Sequence, residues 1–134
     1  MGEGEERRAL ESLVRQLGLE QNVSLPGFVL NPYPCMVRAG VFVLSSKWEG
    51  LPGVLIEALY CGLPIIATDC PSGPREILAE GQYGQLVPVG DTRALARAIE
   101  TNLGRETPRP PRESWRRFEL KVLVNEYISV LFGN

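Results

Sequence analysis

The sequence contains no histidine. That removes the commonest general base, the commonest zinc ligand and any imidazole-centred triad, so chemistry here must rest on carboxylates, backbone groups or partners. A basic surplus is also missing. The 14 Lys+Arg stand against 16 Asp+Glu, leaving a formal net charge of -2 and no field to hold nucleic acid non-specifically. No nucleic-acid partner is expected, and no metal. Cysteine is scarce and odd in number. Cys35, Cys61 and Cys70 show no CxxC spacing and lie in or beside apolar runs, which fits reduced, mostly buried thiols in a cytoplasmic protein. The opening MGEGEERR has no apolar h-region, so neither a signal peptide nor an anchor is expected. The most apolar stretch, residues 51–67, is broken by Glu57, two prolines and two glycines. It reads as a buried helix followed by a buried strand rather than as a bilayer span.

With 134 residues, 44% of them hydrophobic, the chain can bury a real core but is short for two ordinary domains. Leu10, Leu13, Val14 and Leu17 form the stripe of an amphipathic helix over residues 5–17, with Gly18 at its C-cap. Residues 23–29 read as a short strand entering a loop. Asn31-Pro32 then opens a short helix that Gly40 can close. Residues 41–44 and 64–68 read as strands buried on both faces of a parallel sheet, with a helix between them over 53–61 stopped by Gly62. A turn-rich loop, a short helical turn and a strand over 85–89 follow. Asp91 N-caps a helix carrying Leu95, Ala98 and Ile99. Residues 105–112 are a proline-rich connector, and residues 113–134 form a final amphipathic helix with Leu120, Leu123, Val124, Tyr127 and Leu131 as its apolar stripe. The arginines from Arg109 to Arg117 read as a solvated face. Strands separated by helices in this rhythm specify an open parallel α/β sheet, which binds ligands beyond the carboxyl ends of its strands.

One such end is the corner Ser45-Ser46-Lys47-Trp48-Glu49-Gly50-Leu51-Pro52-Gly53-Val54. Gly50 and Gly53 let the backbone approach a ligand, and the first-turn amides of the following helix offer an anion site. A tight turn explains the glycines equally simply. Glu57, one turn into an otherwise apolar helix, needs hydrogen-bond donors to be stable as a carboxylate. A vicinal ribose diol would supply them. Solvent, or an arginine such as Arg75, would also serve. Trp48 reads as packing more readily than as a platform for a sugar.

The run EGLPGVLIEA, with Glu49 and Glu57 eight positions apart, resembles the paired-glutamate motif of glycosyltransferase family 4. The segments GEGEERRALE, GFVLNPYP, AGVFVLSS, CGLPIIATDCPSGPREIL and YGQLVPVGD are also similar to that family. The resemblance covers nearly all of residues 2–103 and extends to the last helix, which in the family crosses back towards the N-terminal domain. It implies the C-terminal half of a retaining GT-B enzyme, a Rossmann-like parallel sheet flanked by helices with its first strands missing, truncated so that residues 1–104 are a partial nucleotide-sugar-binding domain. By resemblance, Glu57 binds the ribose hydroxyls and Glu49 reaches hydroxyls of the donor sugar in a catalytic role. The backbone at Gly50, Leu51, Pro52, Gly53 and Val54 approaches the sugar and diphosphate, and Phe28 and Val29 lie near the base. The donor would be a nucleotide-sugar, UDP-linked, acting as substrate and not as cofactor, with a hexose passed to a glycan or lipid-linked acceptor. The family's donor-phosphate arginine and lysine have no equivalent here.

The expected partners are therefore the donor and a missing N-terminal acceptor domain or partner chain, with peripheral membrane association a property of the full enzyme. In the family's strand order 3-2-1-4-5-6, residues 23–25 correspond to strand 3, and those at Val41, Ile65 and Leu86 to strands 4, 5 and 6. Strand 3 would lack its partner, which leads to a rearranged sheet or a homo-oligomer, and to a chain that is silent by itself. The alternative is a non-catalytic nucleotide-sugar-binding or interaction module acting with a partner chain. A flavodoxin-like receiver is disfavoured because the acidic cluster expected at its strand ends is missing.

Overall fold

A computed structural model of the chain describes residues 3–104 and 108–133. They divide into two compact units, residues 1–34 and 35–134.

The first unit carries helix α1 (Arg7–Gln16), closed by Gly18 at φ +66°. A left-handed turn of this kind is the conformation glycine adopts without strain. Arg7 organises the unit. It pairs with Glu3 at 2.7 Å and Glu11 at 2.8 Å, and donates to the Leu25 carbonyl at 2.8 Å. The expected strand over residues 23–29 does not form: the segment joins no sheet among the described residues, and Gly27 within it stands at φ +77°. Strand structure needs a neighbouring ladder, and none is present among the described residues. Asn31 accepts from the Tyr33 amide at 3.2 Å, as its capping position requires, at the start of α2 (Tyr33–Met36).

The second unit is an α/β layer structure. Strands β1 (Phe42–Leu44), β2 (Ile65–Thr68) and β3 (Gln85–Val87) form a parallel sheet in the order β1-β2-β3. Phe42 pairs with Ile65, and Thr68 with Val87. This is the adjacency expected of strands 4, 5 and 6. Helix α3 (Gly53–Tyr60) links β1 to β2, and the single turn α4 (Pro74–Ile77) follows β2. Helix α5 (Thr92–Leu103) follows β3, its Asp91 cap accepting from the Ala94 amide at 2.8 Å.

Alternation along β2 sends its side chains to two cores. Ile65 and Ala67 pack with Leu55, Ala58 and Leu59 of α3 and with Ile77 and Leu78, while Ile66 packs with Val87 and with Ala98 of α5. All four β2 residues are buried, as the sequence predicts. β1, expected to be buried on both faces, is only half-buried. Among the described residues it is an edge, paired on one side alone.

The connector is described only from Pro108 onward. It leads into α6 (Glu113–Arg116), the first piece of a helix expected to run unbroken over residues 113–134, whose Trp115 packs edge-on to Tyr60 of α3 at 4.9 Å between ring centroids. Helix α7 (Leu120–Phe132) follows and has no buried residue. No helix among the described residues is long and apolar enough to cross a membrane.

Candidate functional site

Because the strands are parallel, their carboxyl ends share one edge of the sheet. The loops after Leu44 and Thr68 therefore emerge side by side, and Thr68 fastens them together. Its buried hydroxyl donates to the Ser46 carbonyl at 2.5 Å. Ser46 in turn donates its hydroxyl to Glu49 Oε1 at 2.6 Å, a short charge-assisted bond that orients this half-buried carboxylate. Sequence reasoning passed over both Ser46 and Thr68. The signal available was a hydroxyl three residues ahead of the glutamate and another at the end of the adjacent strand.

Helix α3 begins at this corner. Pro52 occupies its N-cap position, and no side chain caps the helix. The Leu55 amide reaches the Pro52 carbonyl at 2.9 Å, while the amides of Gly53 and Val54 have no acceptor among the described residues. Unfilled amides at a helix start attract anions. Gly50, Leu51, Gly53 and Val54 are exposed and Pro52 is buried, so the backbone here is open to a ligand without being loose. Trp48 is 76% exposed, so it does not pack as expected, and stands beside Glu49 with its ring open to solvent.

Glu57 is half-buried one turn into α3, and no hydrogen bond or ion pair reaches it among the described residues. Arg75, a candidate partner from sequence, is taken up elsewhere. It grips Asp69 through both its Nε, at 3.0 Å, and its Nη2, and holds Glu80 at 2.7 Å. The hydrogen bonds it donates to Asp69 and then to Glu80 hold its guanidinium pKa above the ordinary value. Burial and then the Glu57 charge push the Cys61 thiol up. All three cysteines are free, but they are not mostly buried as expected: Cys70 is buried, Cys61 half-buried and Cys35 exposed.

A third loop closes the corner. Gly73, at φ +78°, lies so close to Pro52 and Gly50 that an added Cβ would fall 2.5 Å from the Gly50 carbonyl oxygen. Only glycine meets both the backbone angle and the space. Beyond it lies a cavity of about 510 Å³ lined by Asp69, Ser72, Gly73, Arg75 and Glu76. Another, of about 460 Å³, lies at the amino ends of β2 and β3, against Ile65 and Gln85, away from these groups. Glu49, Gly50, Leu51, Pro52, Gly53, Val54 and Glu57 thus share one corner. Phe28 and Val29 belong to the other unit, where Phe28 is exposed.

Known proteins are similar to this chain in sequence and in fold. An uncharacterized glycosyltransferase of Methanocaldococcus jannaschii is 49% identical over 78 residues, which are 58% of this chain and 19% of that protein. N-acetylgalactosamine-N,N'-diacetylbacillosaminyl-diphospho-undecaprenol 4-alpha-N-acetylgalactosaminyltransferase of Campylobacter jejuni is 37% identical over 77% of this chain and 28% of its own length. Among solved structures, the apo form of the lipopolysaccharide outer core galactosyltransferase WaaB superposes with a TM-score of 0.85 at 26% identity, covering 98% of this chain and 39% of that one. Anabaena HepE in complex with UDP gives 0.83 at 24% identity, over 96% of this chain and 37% of that one, and shows the fold alone. The chain spans from about a fifth to two fifths of the length of these proteins. Residues 1–104 match the family described as glycosyl transferases group 1, and the chain belongs to that family.

Proposed function

We propose that this chain is the donor-binding part of a retaining glycosyltransferase of family 4, and that it takes a nucleoside-diphosphate-sugar, UDP-linked, at the corner between β1 and α3. The observation that carries the reading is the convergence of three unfilled valences. The Gly53 and Val54 amides lack acceptors, the Glu57 carboxylate lacks donors, and Glu49 is held in place by Ser46 with its other oxygen available. A diphosphate, a ribose diol and a sugar hydroxyl meet these needs in turn. HepE, a structural neighbour, is known in complex with UDP, which supports a uridine nucleotide. The Campylobacter relative is named for a diphospho-undecaprenol acceptor, which supports a hexose passing to a lipid-linked or glycan acceptor. The reaction would take place in the cytoplasm and need an acceptor-binding partner that these residues do not supply.

Arg75 directs its charge to Asp69 and Glu80 and not to a departing diphosphate. Cationic groups aimed at the leaving group supply much of the catalysis in such transfers. That favours, as a second reading, a module that binds the donor without turning it over. Comparing Glu49→Gln with the unaltered chain separates the roles of the two glutamates. UDP affinity should be kept while the added affinity for UDP-sugar is lost. Equal losses for both ligands would remove Glu49 from the sugar subsite.

A further inference from the structure

The one-turn helix α4 hangs between two stretches of left-handed backbone. Before it, Ser72 and Gly73 stand at φ +67° and +78°, and after it Ala79 and Glu80 stand at φ +48° and +57°. Non-glycine residues in this region carry strain and persist only where their surroundings fix them. At Glu80 one fixing contact is the ion pair to Arg75. A second contact, on α4 itself, comes from far along the chain. Arg117, expected to lie on a solvated face, is half-buried and sends Nη2 to the last carbonyls of α4, bonding both Glu76 O and Ile77 O, the latter at 3.0 Å. Carbonyls at a helix end need such donors, and a cation there also meets the negative end of the turn. The same guanidinium lies 4.7 Å from the Phe118 ring centroid, and Phe118 and Trp115 pack against the core that buries α3. Its Nε is buried without a partner, so the side chain is committed to this position at some cost in desolvation.

At its other end α4 begins from Gly73, the residue pressed against Gly50 and Pro52. We propose that Arg117 is a positioning residue for the donor corner: by bonding Glu76 O and Ile77 O it pins α4, and through Gly73 it fixes the backbone of Gly50, Pro52 and Gly53 that receives the nucleotide. The proposal rests on the functional reading above. It makes the segment after the proline-rich connector part of the site's support, although that segment touches no ligand.

The test uses the whole chain, with amide resonances recorded without ligand and then during titration with UDP. Arg117→Ala is expected to displace the Gly50, Gly53 and Gly73 resonances while leaving those of β2 in place, and to weaken UDP binding about tenfold. Added guanidinium should restore both in part. Arg117→Lys, which keeps the charge but reaches fewer carbonyls, should shift the same resonances by less, and it carries the test if the alanine variant does not fold. Unmoved corner resonances, unchanged UDP affinity, or a loss that guanidinium does not restore would overturn the proposal. Failure of the unaltered chain to bind UDP would instead sink the functional reading, and the ligand-free resonances would then decide by themselves whether Arg117 holds the corner.

Discussion

Helices α3 and α7 draw on similar residues, GVLIEALY and LKVLVNEYISVLF, yet Leu55, Ala58 and Leu59 of α3 are wholly buried and no residue of α7 is. Composition selects the helix in both cases. What differs is the supply of neighbours. α3 crosses between two adjacent parallel strands, so the surface that covers it is built by the residues immediately before and after it. α7 follows α6 and joins no pair of strands, and its Tyr127, Val130 and Leu131 stay at least 70% exposed. The first helix carries the candidate site because its environment is complete. The last helix has no such cover among the described residues.

The largest effect should follow from cutting into that complete environment. Leu59→Ala on α3 is expected to cost about 2–5 kcal/mol in urea denaturation, through lost burial and a residual cavity. Leu131→Ala on α7 should stay within about 0.5 kcal/mol, as for surface positions. If the two cost the same, α7 is covered in solution and the contrast fails.

A sharper probe is Glu57→Ala, which leaves the apolar neighbours of α3 intact and removes only its carboxylate. Hydrogen bonds to a charged group are worth about 1.5–3 kcal/mol, so preference for UDP over its 2',3'-dideoxy analogue should fall roughly tenfold to a hundredfold. Calorimetric titration of both nucleotides checks this. A preference that survives the substitution would put Glu57 elsewhere than on the ribose.

Much of α3's surroundings could be read from the sequence. The doubly apolar run of β2, the glycine stop at Gly62 and the Asp91 cap each act over a few residues, so each is visible locally. The shape of the corner was legible for the same reason, a glycine-rich turn running into a helix being a local pattern. The failures are all questions of pairing at a distance. Residues 23–29 have strand composition but no ladder to join, and β1 is apolar enough for the sheet interior but sits at an edge. Arg117 looks like any solvated arginine until the fold brings it to carbonyls 40 and 41 residues away. Ser46 and Thr68 are likewise small hydroxyls whose roles exist only once two strand ends lie side by side.

The smallest effect concerns Cys61, just beyond α3. Its raised pKa leaves less thiolate at a given pH, so iodoacetamide should modify it more slowly than exposed Cys35 at pH 8. For an acid whose folded pKa is raised, the contribution to stability is present below the unfolded pKa and is lost as pH rises through the folded value. Glu57→Gln removes one of the two causes and should speed the reaction at Cys61 while leaving Cys35 unchanged. Equal rates for Cys35 and Cys61 would mean that the end of α3 is open to solvent.

The donor-site assignment is tested most directly by titrating the isotopically labelled chain with UDP and following every backbone amide. The account predicts that the largest shifts fall on Gly50, Gly53 and Val54, with Glu57 moving at the same nucleotide concentrations and α7 unaffected. Saturable shifts centred on another part of the chain, or none at the corner, would contradict it.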